Sequence, residues 1–110
     1  MPHYMLQWRF SADNFRSLVQ NPDSRAETVS KAIESFEGRL HQYFFAFGDY
    51  DGVIICEFPD QERCVAFLAM VAAKGGFTSF QTTPLLTPEE GLHAFERAGR
   101  TQTPYRPALS

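Results

Sequence analysis

The run Phe47-Gly48-Asp49-Tyr50-Asp51-Gly52, followed at once by Val53-Ile54-Ile55-Cys56-Glu57-Phe58, constrains this chain most, because a polar knot sits between two strand-like segments. Gly and Asp supply turn conformations, and the Val-Ile-Ile run needs a buried face, so the pattern predicts a β-hairpin over residues 39–47 and 53–58. With the turn centred on Asp49 and Tyr50, direct pairing sets Tyr43 opposite Cys56 and Phe45 opposite Ile54. It also sets Gln42 opposite Glu57 and Phe44 opposite Ile55.

Elements of both periods surround the hairpin. Residues 3–10 alternate, with Tyr4, Leu6, Trp8 and Phe10 on one side and His3, Met5, Gln7 and Arg9 on the other, which is a strand with one buried face. Ser11 caps a first helical piece that breaks at Asn21-Pro22. Ser24-x-x-Glu27 then reads as a capping box for a second piece with Val29, Ala32, Ile33 and Phe36 on one face, and Gly38 as its stop. Pro59-Asp60 opens a helix that carries Cys64, Phe67, Leu68 and Val71 inward and ends at Gly75-Gly76. A fourth strand is expected over residues 77–83. Thr87-Pro88-Glu89-Glu90 starts a short helix through Phe95, before Gly99. Residues 1–98 form one domain on this reading, and residues 99–110, with two prolines and few core formers, form a flexible tail or an arm on a partner.

The order is βαββαβ plus a small helix. Right-handed crossovers place the first and third strands at the centre of a four-stranded antiparallel sheet with helices on one face, a ferredoxin-like α+β fold. The other face then carries Met5, Phe44, Ala46, Val53 and Ile55 among Gln7, Arg9, Gln42 and Glu57, which is too apolar to be left in water. A second sheet packed on it would make an α+β barrel, so at least a homodimer is expected.

Composition narrows the partners. With 110 residues, 44% of them hydrophobic and 11 of them Phe, the chain can fill a single core. The net charge of −3 arises from interspersed charges without a basic run, which argues against nucleic acid. No stretch approaches the roughly 20 apolar residues of a membrane span and no export pattern opens the chain, so a soluble, cytoplasmic protein is expected. Cys56 and Cys64 read as reduced, buried thiols.

Beyond the hairpin tip, the strand leading to Phe10-Ser11, the Arg16 region, Asn21-Pro22 with Arg25-Ala26-Glu27, Gly38, Pro59-Asp60 and residues 82–87 complete a pattern that resembles the GYD-domain family, whose naming motif is matched by Gly48-Asp49-Tyr50-Asp51. The resemblance implies a small stand-alone protein of the dimeric α+β barrel type, with no assigned activity and no catalytic residue to transfer. Three positions depart from the pattern: Ser11 stands for threonine, Asn14 for glycine, and Gly52 for a β-branched residue.

Candidate chemistry is sparse. At the tip, Asp49 and Asp51 can accept backbone amides and Tyr50 can cover the hairpin; the competing role for Gly48, Asp49, Tyr50 and Asp51 is ligand contact. On the uncovered face His3, Gln7, Arg9, Gln42 and Glu57 form the best enzymatic candidate set. A Glu57 carboxylate beside the His3 imidazole could act as base and acid while Arg9 orients an anion, and the same residues could simply ring a dimer interface. His41 and Tyr43 fall on the drier hairpin face, and His93 on a solvated helix. The three histidines could join in a metal site only if distant strands converged, so neither a metal nor a cofactor is expected. Gly75-Gly76 ends a helix and cradles no phosphate. Pro2 could serve as a tautomerase-type base only at a freed N-terminus. Three functions follow as alternatives: a homodimeric barrel with a small-molecule pocket between its sheets, a cofactor-independent oxygenase or isomerase using His3, Arg9 and Glu57, and a regulatory or assembly module contacting partners through the 48–51 tip.

Overall fold

In a computed structural model, which describes residues 1–108, the chain runs β1 (His3–Phe10), α1 (Ala12–Gln20), α2 (Arg25–Glu34), β2 (Arg39–Phe45), β3 (Gly52–Glu57), α3 (Gln61–Lys74), β4 (Phe77–Leu85) and α4 (Pro88–Arg100). The four strands form one antiparallel sheet in the order β2-β3-β1-β4. This is the ferredoxin-like α+β arrangement, with β1 and β3 central as the crossover rule requires. The core lies on one face: Tyr4, Leu6, Trp8 and Phe10 of β1 and Ile54 and Cys56 of β3 meet Ile33, Phe58, Cys64 and Phe67.

Local chemistry sets the helix ends. The Ser11 hydroxyl accepts the Asn14 N–H at 3.1 Å, and the Asp60 carboxylate accepts the Arg63 N–H at 2.9 Å, each satisfying an amide that the first turn leaves unpaired. Gly75 and Gly76 end α3 with φ of 80° and 95°. Thr87 and Glu90 exchange both bonds of a capping box.

Several expectations need correction. Ser24 occupies the cap position of α2, but its side chain makes no capping bond. Gly38 does not supply the left-handed turn after α2; Glu37 does, with φ 64°. Glycine is needed at 38 for space, since a Cβ there would lie 2.6 Å from the Glu57 carbonyl oxygen. β4 runs two residues further than expected and includes Pro84, tolerated because an edge strand can forgo a donor. α4 continues through Gly99 to Arg100, because neither Gly91 nor Gly99 adopts a positive φ and arginines 97 and 100 suit its negative end. None of its residues is buried, and Leu92 and Phe95 stay exposed. Of the expected tail, residues 101–108 are exposed, and residues 109 and 110 lie outside the described residues.

The hairpin register also differs. Tyr43 pairs with Ile54, Phe44 with Val53 and Phe45 with Gly52, two places from the direct pairing, and the strands end at Phe45 and begin at Gly52. The cause is Asp51. Its N–H donates to the Trp8 carbonyl at 2.7 Å, so it is committed to β1, and the connection closes with the Ala46 N–H on the Asp51 carbonyl at 2.9 Å. A shift of two preserves which face each side chain occupies. Nearer the start of β2 the register slips by one between Leu40 and Gln42, so that His41 is an extra residue. Gly52, one of the departures from the family pattern, is explained by Trp8: a Cβ would sit 2.2 Å from the indole ring.

Candidate functional site

The sheet face away from the core divides into two polar ends with an apolar middle. Met5, Val53 and Ile55 occupy the middle, only partly exposed, and Phe44 lies beside them at 56% exposure. Because β1 and β3 pair His3 with Glu57, and β2 and β3 pair Arg39 with Glu57, the three strands place those side chains in one row at one end.

His41 joins that row because of the bulge. The extra residue reverses the alternation for His41, turning it from the core side to the open face, where its ring stacks on His3 with centroids 5.4 Å apart and planes at 14°. Both imidazoles address one carboxylate: His3 Nε2 lies 3.6 Å from Glu57 Oε2 and His41 Nε2 lies 3.4 Å from Glu57 Oε1. Arg39 is more distant, at 3.9 Å. The Glu57 side chain is only 12% exposed and makes no hydrogen bond among the described residues, and His3 Nδ1 is buried without a partner. Glu90, at the start of α4, is held below the usual carboxylate range, chiefly by the Thr87 backbone and hydroxyl and to a lesser degree by His3.

Arg9 does not belong to this group. It lies six residues along β1 from His3, roughly 20 Å at strand rise, and its Nη1 donates to the Asp49 carbonyl at 2.8 Å. Of the expected enzymatic set, His3 and Glu57 therefore converge, Arg9 braces the hairpin tip, and His41 takes a place that strict alternation denied it. The bulge is visible in the burial of its neighbours. Leu40 and Tyr43 both face the core although three positions separate them, which period two forbids without an inserted residue.

The tip motif folds over the opposite end. Asp51 Oδ2 accepts the Phe10 N–H at 2.9 Å where β1 leaves the sheet, and the Tyr50 hydroxyl donates to Gln81 Oε1 on β4, crossing the strand that carries Gln7. Gly48 has open space around it, and Phe47 beside it is fully exposed. A hollow of about 290 Å³ lies under this strap, lined by Gln7, Ala46, Tyr50 and Val53.

A larger cavity lies on the other side of the sheet. About 600 Å³ lies between the helices and the core face, walled by Leu6, Trp8, Val29, Leu68, Val71 and Phe77, with Asp13, Arg25 and Lys74 nearby. Burial pushes the Tyr43 phenol, which borders it, up to about 12. Cys56 and Cys64 are free and buried; burial pushes the first up to about 12 and the second to about 11, so neither is a nucleophile at neutral pH.

Among the described residues no helix is long and apolar enough to cross a membrane. No curated protein sequence is similar to the chain. The fold is shared with FFRP-DM1, at 13% identity and TM-score 0.54 over 78% of this chain and all of that one. It is shared as well with the hypothetical protein PHS023 from Pyrococcus horikoshii, at 11% identity and TM-score 0.53 over 79% of this chain and 92% of the other. MtbAldR matches at 12% identity and TM-score 0.54 over 78% of this chain, which spans about half (52%) of its length. At these identities the likeness concerns the fold alone. The family model described as the GYD domain matches residues 4–94, from the first core residue of β1 through the tip motif and into α4, and the chain belongs to the GYD-domain family.

Proposed function

We propose that the protein works as a homodimeric α+β barrel, two open sheet faces packed together, that takes a small organic molecule between them. One observation carries this reading: Met5, Phe44, Val53 and Ile55 form an apolar strip on a sheet face that the protein's own core and helices leave uncovered. The polar ends suit the same arrangement, since His3, His41 and Glu57 at one end and Gln7, Tyr50 and Gln81 at the other can orient a ligand held against the apolar strip. Oxygenase or isomerase chemistry through His3, Arg9 and Glu57 is less well supported, because Arg9 is engaged with Asp49. An assembly role for the tip draws its support from Phe47, whose ring is wholly exposed.

Light scattering coupled to size exclusion tests the pairing: wild-type protein runs as a dimer at micromolar concentration and Ile55→Glu as a folded monomer. A wild-type monomer sinks the reading. A thermal-shift screen of small acids and aromatics then tests the ligand, because a molecule favouring the folded state raises Tm.

The helix-side cavity favours a second reading. Its volume of about 600 Å³ and its apolar wall suit a small apolar ligand inside each subunit. Filling it by Val71→Phe would abolish a thermal shift that arises there and leave one that arises between the sheets.

A further inference from the structure

The His3, His41 and Glu57 side chains meet from three strands, and each offers a ligand atom within 4.8 Å of the others. Their spacing is that of a loose ion pair, as between Lys31 and Glu27 at 3.4 Å, and is long for a hydrogen bond. A charge-assisted hydrogen bond between imidazole and carboxylate closes to about 2.7–2.9 Å, whereas these gaps are 3.6 and 3.4 Å. Two ligand atoms each about 2.0–2.1 Å from a tetrahedral ion stand about 3.3 Å apart, which is nearly the spacing found. Glu57 splits its two oxygens between the two rings, so its carboxylate is aimed at the gap between them.

We infer that His3, His41 and Glu57 form a binding site for one divalent transition-metal ion, held by two imidazole nitrogens and a carboxylate oxygen. Three features beyond the distances support this. The bulge between Leu40 and Gln42 has the effect of bringing His41 to the open face; a regular β2 would turn it to the core. Gly38 lets the start of β2 lie against the Glu57 backbone, where any side chain would collide. The Phe58 N–H donates to the Pro2 carbonyl at 3.2 Å, tying the two strands together one position beyond the His3–Glu57 pair.

Ligand type selects the ion. Two imidazoles and one carboxylate suit zinc, cobalt or ferrous iron and disfavour magnesium and calcium, which take oxygen ligands. Three protein ligands leave at least one coordination position, and His41, whose side chain is 35% exposed, opens it towards the open sheet face. All three ligands belong to one chain, so the site stands whether or not the sheets pair.

The test uses the full-length protein stripped with a chelator and desalted. Zn²⁺ is titrated by calorimetry and Co²⁺ by visible absorption, each read per chain. The expected result is one equivalent of metal, with cobalt bands of a four- or five-coordinate site, and affinity lower by about tenfold or more in His41→Gln and in Glu57→Gln. His93→Gln, on α4, leaves it unchanged. His41 is on an edge strand and exposed, so His41→Gln folds and decides the matter even if Glu57→Gln does not. Wild-type protein that takes up no metal, or binds it no more tightly than His41→Gln, overturns the assignment.

Discussion

Asp51 and Phe10 are joined by a hydrogen bond of 2.9 Å from the Phe10 N–H to the Asp51 carboxylate, 41 positions apart in the chain, at the point where β1 leaves the sheet. Removing the acceptor strands a part-buried amide. Asp51→Ala should therefore lower unfolding free energy by about 1–3 kcal/mol, and Asp51→Asn, which keeps an acceptor oxygen, by less. Urea unfolding followed by Trp8 fluorescence measures both; equal losses in the two variants would deny the bond its role.

Gly52 lies beneath the indole of Trp8, with no space for a methyl group. Gly52→Ala is expected to cost about 1–3 kcal/mol through displacement of the ring, and Gly48→Ala, where nothing lies within 4 Å, almost nothing. The pair of denaturation midpoints checks this, and a Gly52→Ala midpoint equal to wild type would contradict the packing.

Both thiols are protonated in the folded protein well above their ordinary range. Below pH 9 folded and unfolded chains alike carry the protons, so the cysteines give stability no pH dependence there. Between about pH 9 and the folded values near 11 for Cys64 and 12 for Cys56, the unfolded chain loses protons that the folded chain keeps, and stability falls as pH rises. At pH 8 a disulfide reagent should label neither thiol until denaturant is added; rapid labelling of native protein would show that they are accessible.

α4 contributes no buried side chain, although Leu92 and Phe95 are exposed on it. Leu92→Glu and Phe95→Glu should each shift the single chain's unfolding free energy by less than about 0.5 kcal/mol. A large loss on thermal unfolding would mean that the helix is docked.

The alternation of residues 3–10, the stops at Asn21-Pro22 and Gly75-Gly76, and the caps at Ser11, Asp60 and Thr87 were legible because each depends on neighbours within a turn or along one strand. The capping box at Ser24 failed although its pattern was complete, since a cap also needs the approach geometry of the preceding chain. By itself, then, the sequence determined the elements, their order, the core face of β1 and the ferredoxin-like topology, for these follow from local conformational preference and from periodicity. Tertiary structure alone decided that Asp51 pairs with β1 rather than closing a tight turn, that the hairpin shifts by two, and that one inserted residue turns His41 towards His3 and Glu57. Pairing between strands is set by bonds to residues far away in the chain, and a single extra residue reverses a period of two, so the meeting of those three side chains is a property of the sheet and not of any segment within it.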